Sequence, residues 1–91
     1  MQSETIEFSG VGGVTLVADA WGDPDADPVL FMHGGGQTRH SWGGAARLLA
    51  RRGWRTISVD LRGHGDSGWS STADYEAETF VADINALLAV F

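Results

Sequence analysis

The chain has no cysteine and no lysine, only two prolines, and no apolar run near the length of a membrane span. Without cysteine no disulfide can compensate for a poor core, so 91 residues must rely on their own packing or on a partner. All six basic residues are arginine, set among twelve acidic residues for a net charge of −6. No basic run or stripe is present to track a phosphate backbone, which argues against nucleic acid and against an anionic membrane surface. The apolar stretches fall far short of the roughly 20 residues that cross a bilayer. Met1 to Gly10 lacks the basic segment and apolar run of a secretory signal, so the cytoplasm is the expected compartment. The acidity reads as solvated surface and assigns no function.

What is present is ordinary for a folded domain, with 43% apolar and 20% charged residues. Ile6 and Phe8 alternate with polar residues, Gly10, Gly12 and Gly13 make a turn, and Val14, Leu16, Ala18 and Ala20 alternate again, which predicts a β-hairpin. Gly22 to Pro28 is a loop feeding Val29 to Met32, an uninterrupted apolar run expected of a central parallel strand buried on both faces. Trp42, Ala45, Ala46, Leu49 and Ala50 share one helical face, and Arg51, Arg52 and Gly53 form a C-terminal signal, predicting a helix over 39–52. Trp54 to Asp60 reads as a second buried strand, followed by the glycine-rich stretch Arg62 to Gly68. Asp74 is placed to cap a last helix with Glu76 and Glu78 in its first turn and an apolar stripe of Phe80, Ile84, Leu87, Leu88 and Phe91. Hairpin, strand, helix, strand, helix is an α/β pattern: an antiparallel start, then parallel strands with flanking helices.

In such sheets the site lies beyond the carboxyl ends of the parallel strands, here 33–40 and 62–71. Three side-chain-free residues, Gly34 to Gly36, follow a buried strand, and main-chain N–H groups there are open to a developing oxyanion. A bare glycine triplet is more often a plain turn, and the flanking residues shift that balance. His33-Gly34-Gly35-Gly36 with Trp42 resembles the oxyanion loop of the α/β-hydrolase family, and Asp60-Leu61-Arg62-Gly63-His64-Gly65-Asp66-Ser67 resembles the next strand end of the same family. The resemblance runs from Ile6 to Phe91. It implies that Gly35 supplies an oxyanion-hole N–H, with Gly36 named after it as a second contributor, and that His33 and Gly34 shape the loop. The Asp-x-Arg-Gly-x-Gly end is similar to the epoxide-hydrolase and dehalogenase-like branch. That branch commonly carries Pro where Gly36 stands, and dehalogenases place a halide-binding Asn where Gly35 stands, which disfavours dehalogenation.

The family's nucleophile elbow, typically Gly-x-Ser-x-Gly with the acid and histidine later in the chain, does not occur in these residues. Ser67 comes nearest, but Gly68 follows it at once, so it is a loop serine. The expectation is a truncated α/β-hydrolase fold, residues 1–91 being the incomplete N-terminal portion of one domain. Its parent would act on a small-molecule substrate with an ester, epoxide or similar bond, through either a Ser or an Asp nucleophile. By itself the chain is expected to be inactive, whether as a truncated product or as half of a split enzyme. Its apolar strand is expected to form an open edge for self-association or a complementing chain. No cofactor is called for. His33, His40 and His64 lack metal-site spacing with Asp60 or Asp66, so no metal is assigned. His33 reads as a hydrogen-bonded structural group, and His40 and His64 as exposed residues. Among the tryptophans, Trp69 alone is a candidate for lining a pocket. Gly63 to Gly68 also fits Gly-x-Gly-x-x-Gly with Asp83 about 20 residues on, a dinucleotide-binding pattern. The helix expected near Asp74 starts too late to meet a pyrophosphate, and Asp83 falls inside it.

Overall fold

A computed structural model describes residues 2–91. The hairpin forms as β1 (Glu4–Ser9) and β2 (Thr15–Trp21), joined through a 3-10 turn over Val11–Gly13 in which Gly12 and Gly13 take left-handed φ values of 68° and 77°. Next come β3 (Pro28–Met32), helix α1 (Gly43–Arg51), β4 (Arg55–Asp60) and helix α2 (Ala77–Val90). The sheet order is β1-β2-β4-β3, with β3 parallel to β4 across the α1 crossover and β2 antiparallel to both of its neighbours. No helix among the described residues is long and apolar enough to cross a membrane.

The period-2 pattern of β2 and β4 sorts the core onto the two faces of the sheet. Leu16, Ala18 and Ala20 of β2 with Ile57 and Val59 of β4 meet Phe8 and, from α2, Leu87. On the opposite face Trp21 packs with Ala46 and Ala50 of α1 and the half-buried Phe31. The α1 face of β4 is polar and yet fully buried. Thr56 donates its hydroxyl to the Ala46 carbonyl at 2.9 Å, and Ser58 donates to the Arg39 carbonyl at 2.5 Å. Each polar group is thus satisfied, as burial demands.

Three expectations change. Val29–Met32 lies at the sheet edge, as the open-edge expectation has it, but it is not buried on both faces: Val29 to Phe31 are half-buried and Met32 is exposed. The central parallel position falls to β4, whose other neighbour is the antiparallel β2. The helix expected over 39–52 is divided: Arg39–Trp42 is a 3-10 turn capped by Thr38, whose hydroxyl accepts from the His40 N–H, and the α-helix begins only at Gly43. Gly43 and Gly44 are poor helix formers, and the expected face narrows to Ala46 and Ala50 while Trp42 stays 42% exposed. Its indole N–H donates to the Met32 carbonyl at 2.9 Å. In α2 the N-cap position is Glu76, and Asp74 instead braces the approach by accepting from the Thr79 hydroxyl at 2.8 Å. Leu88 and Phe91 of the expected stripe are exposed, and Asp83 shares the buried face with Leu87.

Ser67 seals the end of the central pairing. Its hydroxyl accepts from Val17 N–H at 2.9 Å and donates to the Asp60 carbonyl at 2.6 Å, bridging the last register pair of β2 and β4. Ser67→Ala leaves two buried main-chain groups unpaired and is expected to cost about 1–3 kcal/mol, read as a lower urea midpoint at unchanged slope.

Candidate functional site

The carboxyl ends of β3 and β4 bring the two glycine-rich segments side by side. Gly34 to Gln37 forms a tight turn, with Gln37 N–H donating to the Gly34 carbonyl at 3.1 Å and Gly34 N–H to the Gln37 side-chain oxygen at 3.0 Å. Gly36 takes φ 78° at the third position of this turn, where a side chain is strained. Gly34, Gly35 and Gly36 are all exposed. Among the described residues no acceptor meets the Gly35 N–H, whereas the Gly36 N–H donates to His64 Nε2 at 3.2 Å.

Two histidines tie this turn to the loop after β4. His33 is buried; its Nε2 accepts from Leu61 N–H at 3.0 Å, and its Nδ1 lies 2.8 Å from the Gly34 carbonyl. Since a main-chain N–H only donates, Nε2 must be bare and the proton sits on Nδ1. The same logic holds for His64, whose Nδ1 faces the Arg62 carbonyl at 3.1 Å. The two rings lie 4.8 Å apart between centroids. His33 therefore has the hydrogen-bonded structural place expected of it. His64, expected to be merely exposed, is half-buried and held at both ring nitrogens. His40 is exposed and stands apart from this pair.

Beneath the turn, Arg39 anchors the loops through buried charge. Its guanidinium meets Asp60 at 2.5 Å, Asp66 at 2.9 Å and Asp19 at 3.0 Å, and its main-chain N–H donates to Asp60 at 2.6 Å. Asp60 is fully buried, and Asp66 N–H donates to it at 3.0 Å. Burial alone would raise the Asp60 pKa, but the N–H groups of Arg39 and Asp66 and the Arg39 guanidinium outweigh it and hold the group below the usual carboxylate range. Burial opposes the charge of Arg39 as well, and its carboxylate partners overcome it and raise its pKa. The folded chain thus binds fewer protons at Asp60 than the unfolded chain does, so this contribution is complete above the unfolded value near 3.8 and fades as pH falls through the lower folded value. Urea unfolding followed between neutrality and pH 3 is expected to lose stability in that acid window, and Asp60→Asn to flatten the loss while lowering stability at neutral pH.

A second ion pair lies under the same loop. Arg62, 1% exposed, reaches Asp83 of α2 with Nε at 2.7 Å and Nη2 at 2.9 Å, and donates to the Val11 and Asp74 carbonyls. The hydrogen-bonded Asp83 raises the Arg62 pKa against the opposing effect of burial. This disposes of the dinucleotide pattern: Asp83 is closed off in the core by Arg62, and α2 begins at Ala77, well past Gly68. Trp69 is 76% exposed and stands outside the three cavities lined by Phe91, Met32 and Arg62 respectively. Neither ion-pair network has a signature in the local sequence pattern. A lone acid on the apolar stripe of α2 was the available signal for Asp83.

Comparison with known proteins bears on the fold. A family model described as alpha/beta hydrolase fold matches residues 27–90. A non-heme chloroperoxidase of Streptomyces lividans is 35% identical over 82% of this chain and 27% of its own length. A monoacylglycerol lipase of Mycolicibacterium smegmatis is 34% identical over 91% of the chain and 30% of its own length. Among solved structures, a thioesterase domain from the curacin biosynthetic pathway superposes with a TM-score of 0.91 at 29% identity, covering 100% of this chain and 34% of that one. An epoxide hydrolase of Vigna radiata gives 0.87 at 31% identity, covering 97% and 28%. The chain thus spans about 30% of the curated relatives it matches.

Proposed function

Because this chain belongs to the alpha/beta hydrolase fold family, we propose that its turn after β3 is the oxyanion loop of a hydrolase acting on an ester, epoxide or similar bond, with the Gly35 N–H as donor. The observation that carries the reading is the Gly35 N–H, exposed in the turn after β3 and meeting no acceptor among the described residues. A donor fixed before charge develops lowers the barrier without reorganisation. His33 and Gly34 shape the turn. Gly36 follows in the turn, with its N–H donated to His64.

Residues 1–91 contain no Gly-x-Ser-x-Gly elbow, and an oxyanion hole of this kind takes its second donor from the residue after the nucleophile. Residues 1–91 by themselves are therefore expected to give no turnover, and the remaining machinery to come from further chain or from a complementing one. The unpaired edge of β3 supports this, as does the apolar groove of about 220 Å³ beside it, lined by Met32, Leu61, Phe80, Val81, Ile84 and Asn85.

The test is a chimera in which residues 1–91 replace the matched segment of the Mycolicibacterium smegmatis monoacylglycerol lipase, assayed on nitrophenyl esters and on a chromogenic epoxide beside residues 1–91 alone. Turnover by the chimera and none by the short chain is the expected result. A folded chimera inert on both substrates overturns the reading, and turnover by residues 1–91 alone overturns the claim that the machinery is divided.

A further inference from the structure

We infer that His64 is a positioning residue that withholds the Gly36 N–H from a substrate, so that the oxyanion loop presents the Gly35 N–H alone. The inference rests on the oxyanion reading and adds to it the number of donors and the group that sets it.

The geometry is a reciprocal brace. His33 stands on the loop after β3 and accepts an N–H from the other loop, at Leu61; His64 stands on that other loop and accepts an N–H from the first, at Gly36. Each ring can do this only with its proton on Nδ1, and each finds a carbonyl of its own loop to hold the proton there: Gly34 for His33 and Arg62 for His64. The two rings lie side by side, 4.8 Å apart between centroids. Asp60 and Asp66 are engaged by Arg39, and the Arg62 guanidinium by Asp83, so the charged groups nearby have partners of their own.

The chemical consequence concerns direction. Gly36 sits at φ 78°, and its N–H is directed at His64 on the β4 loop. With this donor occupied, the loop offers one N–H, at Gly35, and any second donor must come from elsewhere in the site.

The experiment uses residues 1–91 without substrate. Gly35 and Gly36 each follow a glycine, so their amides exchange at similar intrinsic rates and any difference reports hydrogen bonding. The Gly36 amide is expected to exchange roughly tenfold more slowly than that of Gly35, and ring-nitrogen NMR to show His64 protonated on Nδ1. His64→Leu should bring Gly36 up to the Gly35 rate, and His64→Gln, which returns an acceptor, should restore most of the difference. Equal rates in the unaltered chain, a proton on Nε2 of His64, or a Gly36 amide indifferent to His64→Leu would each overturn the inference. Should His64→Leu fail to fold, the unaltered chain's two rates and its tautomer still decide. A dead chimera with a protected Gly36 counts against the oxyanion reading alone, and an active chimera with an unprotected Gly36 against this inference alone.

Discussion

Asp83→Asn is expected to destabilise the chain by about 3 kcal/mol, a large share of what a domain of this size possesses. The substitution keeps the shape of the side chain and removes its charge, which strands the Arg62 guanidinium in a site where only 1% of that residue is exposed. Breaking one side of a buried pair is costly because the surviving ion has lost both its water and its counter-charge. The Val11 N–H, which Asp83 accepts at 2.8 Å, loses the charge-assisted part of its bond as well. For a chain of this length each 1 kcal/mol moves the melting temperature by roughly 4–8 °C, so a fall of roughly 12 °C or more is expected in thermal circular dichroism. Arg62→Met with Asp83→Leu removes both charges and should recover part of the loss. Recovery stays incomplete because the Val11 and Asp74 carbonyls and the Val11 N–H lose their partners. A shift in the single variant below about 0.5 kcal/mol, the range of ordinary surface substitutions, would mean that water reaches the pair.

Gly35→Pro in the lipase chimera is expected to lower kcat by about 10²–10³, the effect of deleting one oxyanion donor. Proline suits the test because it deletes the N–H while fitting the second position of a turn whose third residue, Gly36, has a left-handed φ. Gly35→Ala is the control: it keeps the N–H, and a Cβ built there meets nothing within 4 Å. Alanine should therefore leave kcat nearly unchanged. Equal activity in the two variants would remove Gly35 from the oxyanion role even if the chimera is a working hydrolase.

Local pattern carried the reading of the chain a long way. Alternation in 14–20 and the β-branched Ile57 and Val59 within 54–60 set strands, the 3.6-residue recurrence of Phe80, Ile84 and Leu87 sets α2, and the paired motifs at His33 and Asp60 set the family. The bonds that fix the loops were harder to see, because their partners lie far apart in sequence. Arg62 and Asp83 are 21 residues apart, as are Arg39 and Asp60, and no periodicity links such positions. Asp83 does interrupt an apolar stripe, and a charge in that place calls for a buried partner. His64 looked exposed because a glycine-rich loop advertises solvent and hides which atom faces a neighbouring loop. The helix start was misplaced because the apolar spacing from Trp42 onward ignores how poorly Gly43 and Gly44 hold a first helical turn.

Thr56 and Ser58 give the crossover a mechanical character that grease alone would not. Apolar contacts tolerate sliding and rolling, whereas a hydroxyl reaching one particular carbonyl behaves like a key in a slot. The carbonyls of Ala46 and Arg39 are both engaged from β4, so rotation of α1 about its axis breaks the first and drift of the turn before it breaks the second. The outward residues Arg47, Leu48 and Arg51 are free of this constraint. Their surface can be redrawn, in charge or in bulk, while the distance from β4 to the turn at Gly35 stays gauged from inside.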